Sequence, residues 1–185
     1  MRKIVAGLFI SLDGVAEAPH EWHFPYFNDE MGAAVDQAVQ ESDAMLLGRV
    51  TYQEWAGYWP NYEAGEDDDF ARYINNVTKY VVSTTLDSVD WNNSQLIKGN
   101  LAEELTKLKQ QPGKNISISG SLTLIQSLLR ENLLDELRLL VHPIAVGSGK
   151  RRLFADDGPQ TSLKLVDSKV FTTGVLSLVY QPAST

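Results

Sequence analysis

Ala44-Met45-Leu46-Leu47-Gly48-Arg49-Val50-Thr51-Tyr52 is the stretch that decides the fold class. Ala44–Leu47 is an unbroken apolar run of strand length, as expected of a strand covered on both faces. Gly48 ends it where the backbone must turn tightly, and where a ligand can approach without meeting a Cβ. Arg49–Trp55 then reads as a short helix. Its first turn offers unpaired N–H groups and a partial positive charge, which suit a phosphate. Arg49 can grip phosphate oxygens with two parallel bonds, and the Thr51 hydroxyl can add another. The plainer reading is a strand–turn–helix junction with a surface arginine.

Ser117-Ile118-Ser119-Gly120-Ser121-Leu122-Thr123 repeats the arrangement of strand, glycine and helix start. Ser121 also reads as an ordinary helix N-cap. If the two strands are parallel neighbours, both helix starts fall at the carboxyl edge of the sheet, where open α/β folds bind ligands. Two phosphate-sized sites side by side suit a dinucleotide. Ser83-Thr84, at the end of a further strand, adds hydroxyls at that edge.

Outward from these junctions the pattern alternates. Strands are expected at Ile4–Ile10, Lys79–Ser83, Gln95–Ile97, Asn115–Ser119 and Leu137–Val141, and helices at Asp29–Gln40, Asp67–Asn75, Leu101–Leu108 and Ser121–Arg130. Met31, Ala34, Val35, Ala38 and Val39 share one face of the first helix. Lys164–Phe171 and Gly174–Tyr180 flank Thr172-Thr173 as an antiparallel hairpin. Together they describe an α/β domain: a mixed sheet covered by helices, with an antiparallel edge. No repeat or long linker divides the chain.

The chain has 185 residues, 16 basic and 24 acidic, for a net charge of −8. That balance gives no general attraction for nucleic acid or anionic membrane. The apolar runs fall short of the roughly 18–20 residues of a membrane span. With no cysteine, disulfides, thiolate nucleophiles and cysteine-ligated metals are excluded. Met1–Ala18 imitates a secretory signal, but Asp13-Gly14 cuts its apolar run short, so a buried first strand and a cytoplasmic protein are expected.

Other motifs fail their templates. Gly147-Ser148-Gly149-Lys150 lacks the glycine and the hydroxyl residue of a Walker loop, since Ile144 and Arg151 stand there, and Arg152 occupies the third glycine position of the dinucleotide pattern. A glycine turn with a solvated basic cluster remains. His20, Glu21 and His23, with distant His142, do not match the helical zinc motif, and no metal is expected. Trp22, Phe24, Tyr26 and Phe27, like Tyr52, Trp55, Tyr58 and Trp59, suit either a flat-ring pocket or a core. Glu66–Asp69 reads as a solvated helix start.

Taken in order, Ser11–Gly14, Leu47–Tyr52, Val82–Leu86, Ile118–Leu122, Leu134–Leu137 and Pro143–Phe154 resemble the dihydrofolate reductase-like superfamily. Within it they resemble the C-terminal reductase domain of the bifunctional riboflavin-biosynthesis deaminase-reductase. The resemblance implies a single domain over residues 1–185, with an eight-stranded, mostly parallel mixed sheet and a C-terminal antiparallel hairpin. It implies an NADPH-dependent reductase acting on a small heterocyclic or carbonyl substrate, similar to 5-amino-6-(5-phosphoribosylamino)uracil reductase or dihydrofolate reductase. Gly48, Arg49 and Thr51 would meet the adenosine and phosphate half of NADPH, and Ser83 and Thr84 its 2′-phosphate. Gly120, Ser121, Leu122 and Thr123 would cradle the pyrophosphate, while Ala6 and the Asp13-Gly14 loop would flank the nicotinamide. Substrate would sit by Trp22, Phe24 and Phe27, its proton coming from water, from Asp13 or Glu17, from His23 or from a tyrosine, and the family commonly forms homodimers. The alternative is a nucleotide-binding homodimer without turnover. Where the superfamily often has Gly-Gly, this chain has Ser119-Gly120.

Overall fold

The computed structural model describes residues 1–63, 68–147, 149–154 and 158–183. Eight strands form one mixed sheet in the order β4-β3-β2-β5-β1-β6-β8-β7. They are β1 (Ile4–Ser11), β2 (Ser42–Gly48), β3 (Thr78–Val82), β4 (Ser94–Ile97), β5 (Asn115–Ile118), β6 (Glu136–His142), β7 (Leu163–Val170) and β8 (Leu176–Pro182). The helices are α1 (Asp29–Gln40), α2 (Arg49–Tyr58), α3 (Asp69–Asn76), α4 (Leu101–Gln110) and α5 (Leu122–Arg130). From β4 to β6 every neighbouring pair is parallel, so the carboxyl ends of six strands share one edge. β8 runs antiparallel to β6, and β7 antiparallel to β8, leaving β7 as the outer strand.

Side-chain alternation divides the apolar strands between two faces. Ile4, Ala6, Leu8, Ile10, Ala44, Leu46, Ile116 and Ile118 pack with α4 and α5 residues such as Leu105, Ile125 and Leu128. The opposite parity covers the other face in two separate patches. Met45, Leu47 and Val81 pack beneath α2 and α3, with Tyr52 and Ile74. Phe9 and Leu140 pack beneath α1, with Met31. Gly7, on β1, shares the parity of Phe9, and no atom of the described residues lies within 4 Å of where its Cβ would be. The missing side chain leaves this face open at the middle of the sheet.

Helix boundaries follow their caps. Asn28, Asp68, Asn100 and Ser121 each accept a first-turn amide of α1, α3, α4 and α5. The helix expected to start at Asp67 therefore starts at Asp69, one residue after its Asp68 cap. Glu66 and Asp67 lie outside the described residues, as does Ser148. α2 begins on Gly48, which supplies no side-chain cap. The aromatic residues of α2 and the turn after it divide: Tyr52 is core, with Trp55 and Trp59 against it, while Tyr58 is exposed. The Tyr52 hydroxyl accepts the amides of Asp90 and Trp91, tying α2 to the chain before β4. No helix among the described residues is long and apolar enough to cross a membrane.

Candidate functional site

β2 and β5 are parallel neighbours, so the two glycine junctions lie side by side at the carboxyl edge. They touch. A Cβ on Gly48 would stand 2.6 Å from the Ser121 Cβ, and one on Gly120 would stand 3.5 Å from Thr51 Oγ1. The Ser121 amide donates to Thr51 Oγ1 at 3.3 Å, and the Ser121 hydroxyl caps Leu124 at 3.4 Å. The uncapped first turn of α2 thus opens beside the start of α5. The exposed Arg49 guanidinium donates to Gln53 of its own helix at 3.0 Å. No described peptide bond is cis, Ser119–Gly120 included.

A second wall is built from two loops. Residues 11–17 leave β1 and residues 143–153 leave β6, and they are laced together. Leu12 N–H donates to Ile144 O, Ala16 N–H to Arg151 O, and Leu153 N–H to Gly14 O, at 2.8, 3.1 and 2.9 Å. Gly14 turns at φ +86°, which favours glycine, and the Arg152 side chain lies 3.8 Å from its Cβ position. The Asp13 carboxylate accepts the Ser11 hydroxyl at 2.6 Å and the amides of Val146 and Gly147 at 3.0 and 2.8 Å. Those bonds, the Ser11 hydroxyl foremost, hold its pKa down to about 2. The Asp13 carboxylate thus latches the 11–17 loop to the start of the loop after β6. Glu17 is likewise engaged, accepting the Arg151 amide at 2.8 Å.

The remaining expected residues divide by parity and by turn. The Ala6 side chain is fully buried in the α4–α5 core, so the β1 residue facing the open side is its neighbour Gly7. Leu122 also buries its side chain, leaving its backbone at the helix start. The buried Ser83 hydroxyl accepts the amides of Thr85 and Leu86, both at 3.1 Å, whereas Thr84 is exposed. Trp22 is buried, while Phe24 and Phe27 are 64% and 47% exposed, and all three lie against the rings of His23 or His142.

Between them the structure assembles a group no spacing revealed. His23 stacks on Phe9 with ring centroids 4.6 Å apart, and His142 meets Phe9, Trp22 and Tyr26 edge-on at 5.6, 5.2 and 5.7 Å. His142 Nδ1 donates to the Leu140 carbonyl at 2.8 Å, so Nδ1 carries the proton and Nε2 is a buried acceptor without a partner among the described residues. Burial pushes both imidazoles below the ordinary histidine value, keeping them neutral. The alternation of β6 would have placed His142 on the Phe9 face, but the sequence grouped it with His23 only as a metal set that its spacing did not support. Among the described residues no three His, Cys, Asp or Glu side chains gather as a metal site.

The chain belongs to the RibD C-terminal domain family, whose model matches residues 2–177. It is 33% identical over 181 residues to the uncharacterized protein YyaP of Bacillus subtilis (strain 168), covering 97% of this chain and 94% of that one. Its fold is similar to a structure from Shewanella sp. PV-4 ascribed to riboflavin biosynthesis, with a TM-score of 0.77, 21% identity and all of both chains covered. It is also similar to the dihydrofolate reductase of Enterococcus faecalis complexed with NADP(H), with a TM-score of 0.58, 13% identity, and 98% and 97% of the two chains covered.

Proposed function

We propose that the protein is an NADPH-dependent reductase that delivers hydride to a C=N or C=O group of a small heterocyclic or carbonyl substrate. The observation that carries this is the pair of packed junctions, with Arg49 and the uncapped α2 beside Ser121, one strand away from the open face at Gly7. The helix starts and Arg49 hold the phosphates, and the open β1 face receives the nicotinamide and substrate rings. Bound there, NADPH supplies the hydride; the chain supplies orientation and excludes water from one side of the ring. The reduced C–N or C–O group takes its proton from water, since Asp13 holds none to give. Membership of the RibD C-terminal domain family and the likeness to a reductase complexed with NADP(H) support this reading.

The engaged state of Asp13 and Glu17 favours a second reading, a nucleotide-binding homodimer without turnover. For either reading, a partner copy would cover the outer strand β7, where Leu165, Val166 and Val170 are exposed. We place the protein in the cytoplasm, with no nucleic-acid partner.

Titration with NADPH and NADH, read by quenching of the four tryptophans, tests the cofactor assignment. Saturable binding that prefers NADPH is expected, and Arg49→Ala should weaken NADPH more than NADH. Absence of binding near ~1 mM, where even an interaction of about −4 kcal/mol registers, would remove the proposal. Loss of nicotinamide absorbance across a panel of heterocycles and carbonyls then separates reductase from binder.

A further inference from the structure

Of the three consecutive cations in the 143–153 loop, the middle one reaches the second junction. Lys150 pairs with Glu21 at 2.7 Å, and Arg152 Nε donates to the Asp13 carbonyl at 3.0 Å. Arg151 instead lays its guanidinium on the first turn of α5, where Nη2 donates to Thr123 Oγ1 at 2.8 Å.

The position of Arg151 is fixed by its own backbone. Its N–H is held by the Glu17 carboxylate at 2.8 Å, and its carbonyl accepts the Ala16 amide at 3.1 Å. Two residues on, the Leu153 carbonyl accepts Gln126 Nε2 of α5 at 2.7 Å. The arginine is therefore clamped between the 11–17 loop and the helix it touches. That helix start is ready for an anion: the Ser121 hydroxyl serves Leu124, and the amides of Leu122 and Thr123 have no acceptor among the described residues. Among those residues no carboxylate pairs with the Arg151 guanidinium, although the chain carries a net charge of −8. A guanidinium has five donors, and a neutral hydroxyl is a weaker acceptor for it than a phosphate oxygen.

We propose that Arg151 is a cofactor-binding residue that grips the pyrophosphate at the start of α5. It sets affinity for NADPH and NADH alike, while Arg49 sets the choice between them. This rests on the nucleotide reading above. The loop fails the phosphate-loop templates because its cation approaches a helix from another segment, rather than following glycines into one. The pyrophosphate is common to both nucleotides and the 2′-phosphate belongs to NADPH alone, so the two arginines leave different signatures.

The test is the dissociation constant of each nucleotide for wild type, Arg151→Ala and Arg151→Gln, with melting temperatures alongside. Loss of a charge-assisted pair should weaken NADPH and NADH each by roughly tenfold. The ratio between the nucleotides should stay that of wild type, and the melting temperature should stay unchanged. Arg151→Gln keeps a donor for Thr123, and it carries the comparison if Arg151→Ala folds poorly. Unchanged constants in variants that fold would overturn the proposal, and so would a loss confined to NADPH. Failure of the wild type to bind either nucleotide would overturn the cofactor reading itself, and this proposal with it.

Discussion

Gly48 and Ser121 exclude each other's side chains: a Cβ on Gly48 would lie 2.6 Å from the Ser121 Cβ and 2.7 Å from its Oγ. Gly48 has φ −79° and ψ 162°, a conformation any residue adopts, so space and not backbone freedom requires the glycine. The space is taken by the residue that caps α5. One consequence is that α2 cannot carry a side-chain cap of its own, and its first amides stay available.

Gly48→Ala should therefore destabilise the fold by about 1–3 kcal/mol, the usual range for overpacking. In a Ser121→Gly background the same alanine should cost much less, because the clashing atoms are gone. Denaturant unfolding of the four proteins in a double-mutant cycle reads the coupling. Additive effects would show that the two positions do not press on each other.

Asp13 should act on the loops and not on proton transfer. Removing its carboxylate with Asp13→Ala frees the amides of Val146 and Gly147, and their hydrogen exchange should accelerate more than that of β1 amides. Its folded pKa of about 2 lies below the ordinary 3.8. The stabilisation it gives is therefore complete above about pH 4 and lost as the pH falls toward 2. Unchanged exchange at both amides would remove the latch.

The neutral histidines should make the fold sensitive to mild acid. Both have folded pKa values below 6.5, so the unfolded chain takes up protons first. Stability should hold above about pH 7 and fall below pH 6.5, by at most about 1.4 kcal/mol per pH unit for each histidine. His142→Phe, which suits the rings of Phe9, Trp22 and Tyr26, should flatten that decline. Melting temperatures from pH 8 to pH 5 check it, and an equal slope in variant and wild type would contradict it.

The strands and most helix limits were legible because apolar runs, glycines and caps are local signals. The unbroken apolar run Ile4–Ile10 announced a buried strand, yet it did not show that Gly7 rather than Ala6 faces the open side, since both parities are apolar. The hairpin was plain from Lys164–Tyr180, but the pattern does not say which of its strands pairs with β6; it is β8. Lys79 is wholly hidden from sequence reasoning. It is fully buried, donates to the carbonyls of Asn75, Val77 and Asn92 at 3.3, 2.9 and 3.0 Å, and lies 4.2 Å from the Trp91 ring centroid. Burial pulls its pKa down to about 8. Its partners are backbone atoms, which leave no trace in residue type. The reach of Arg151 to Thr123 is illegible for a related reason, because it depends on two loops laced through their amides.

The reductase reading turns on where NADPH binds. Backbone amide spectra of the labelled protein should be recorded with and without NADPH. The largest shifts should fall on Arg49–Thr51, on Gly120–Thr123, and on Gly7 and its neighbours in β1. Shifts confined elsewhere, for instance to the surface groove of about 590 Å³ lined by Tyr52, Asn75 and Trp91, would contradict it.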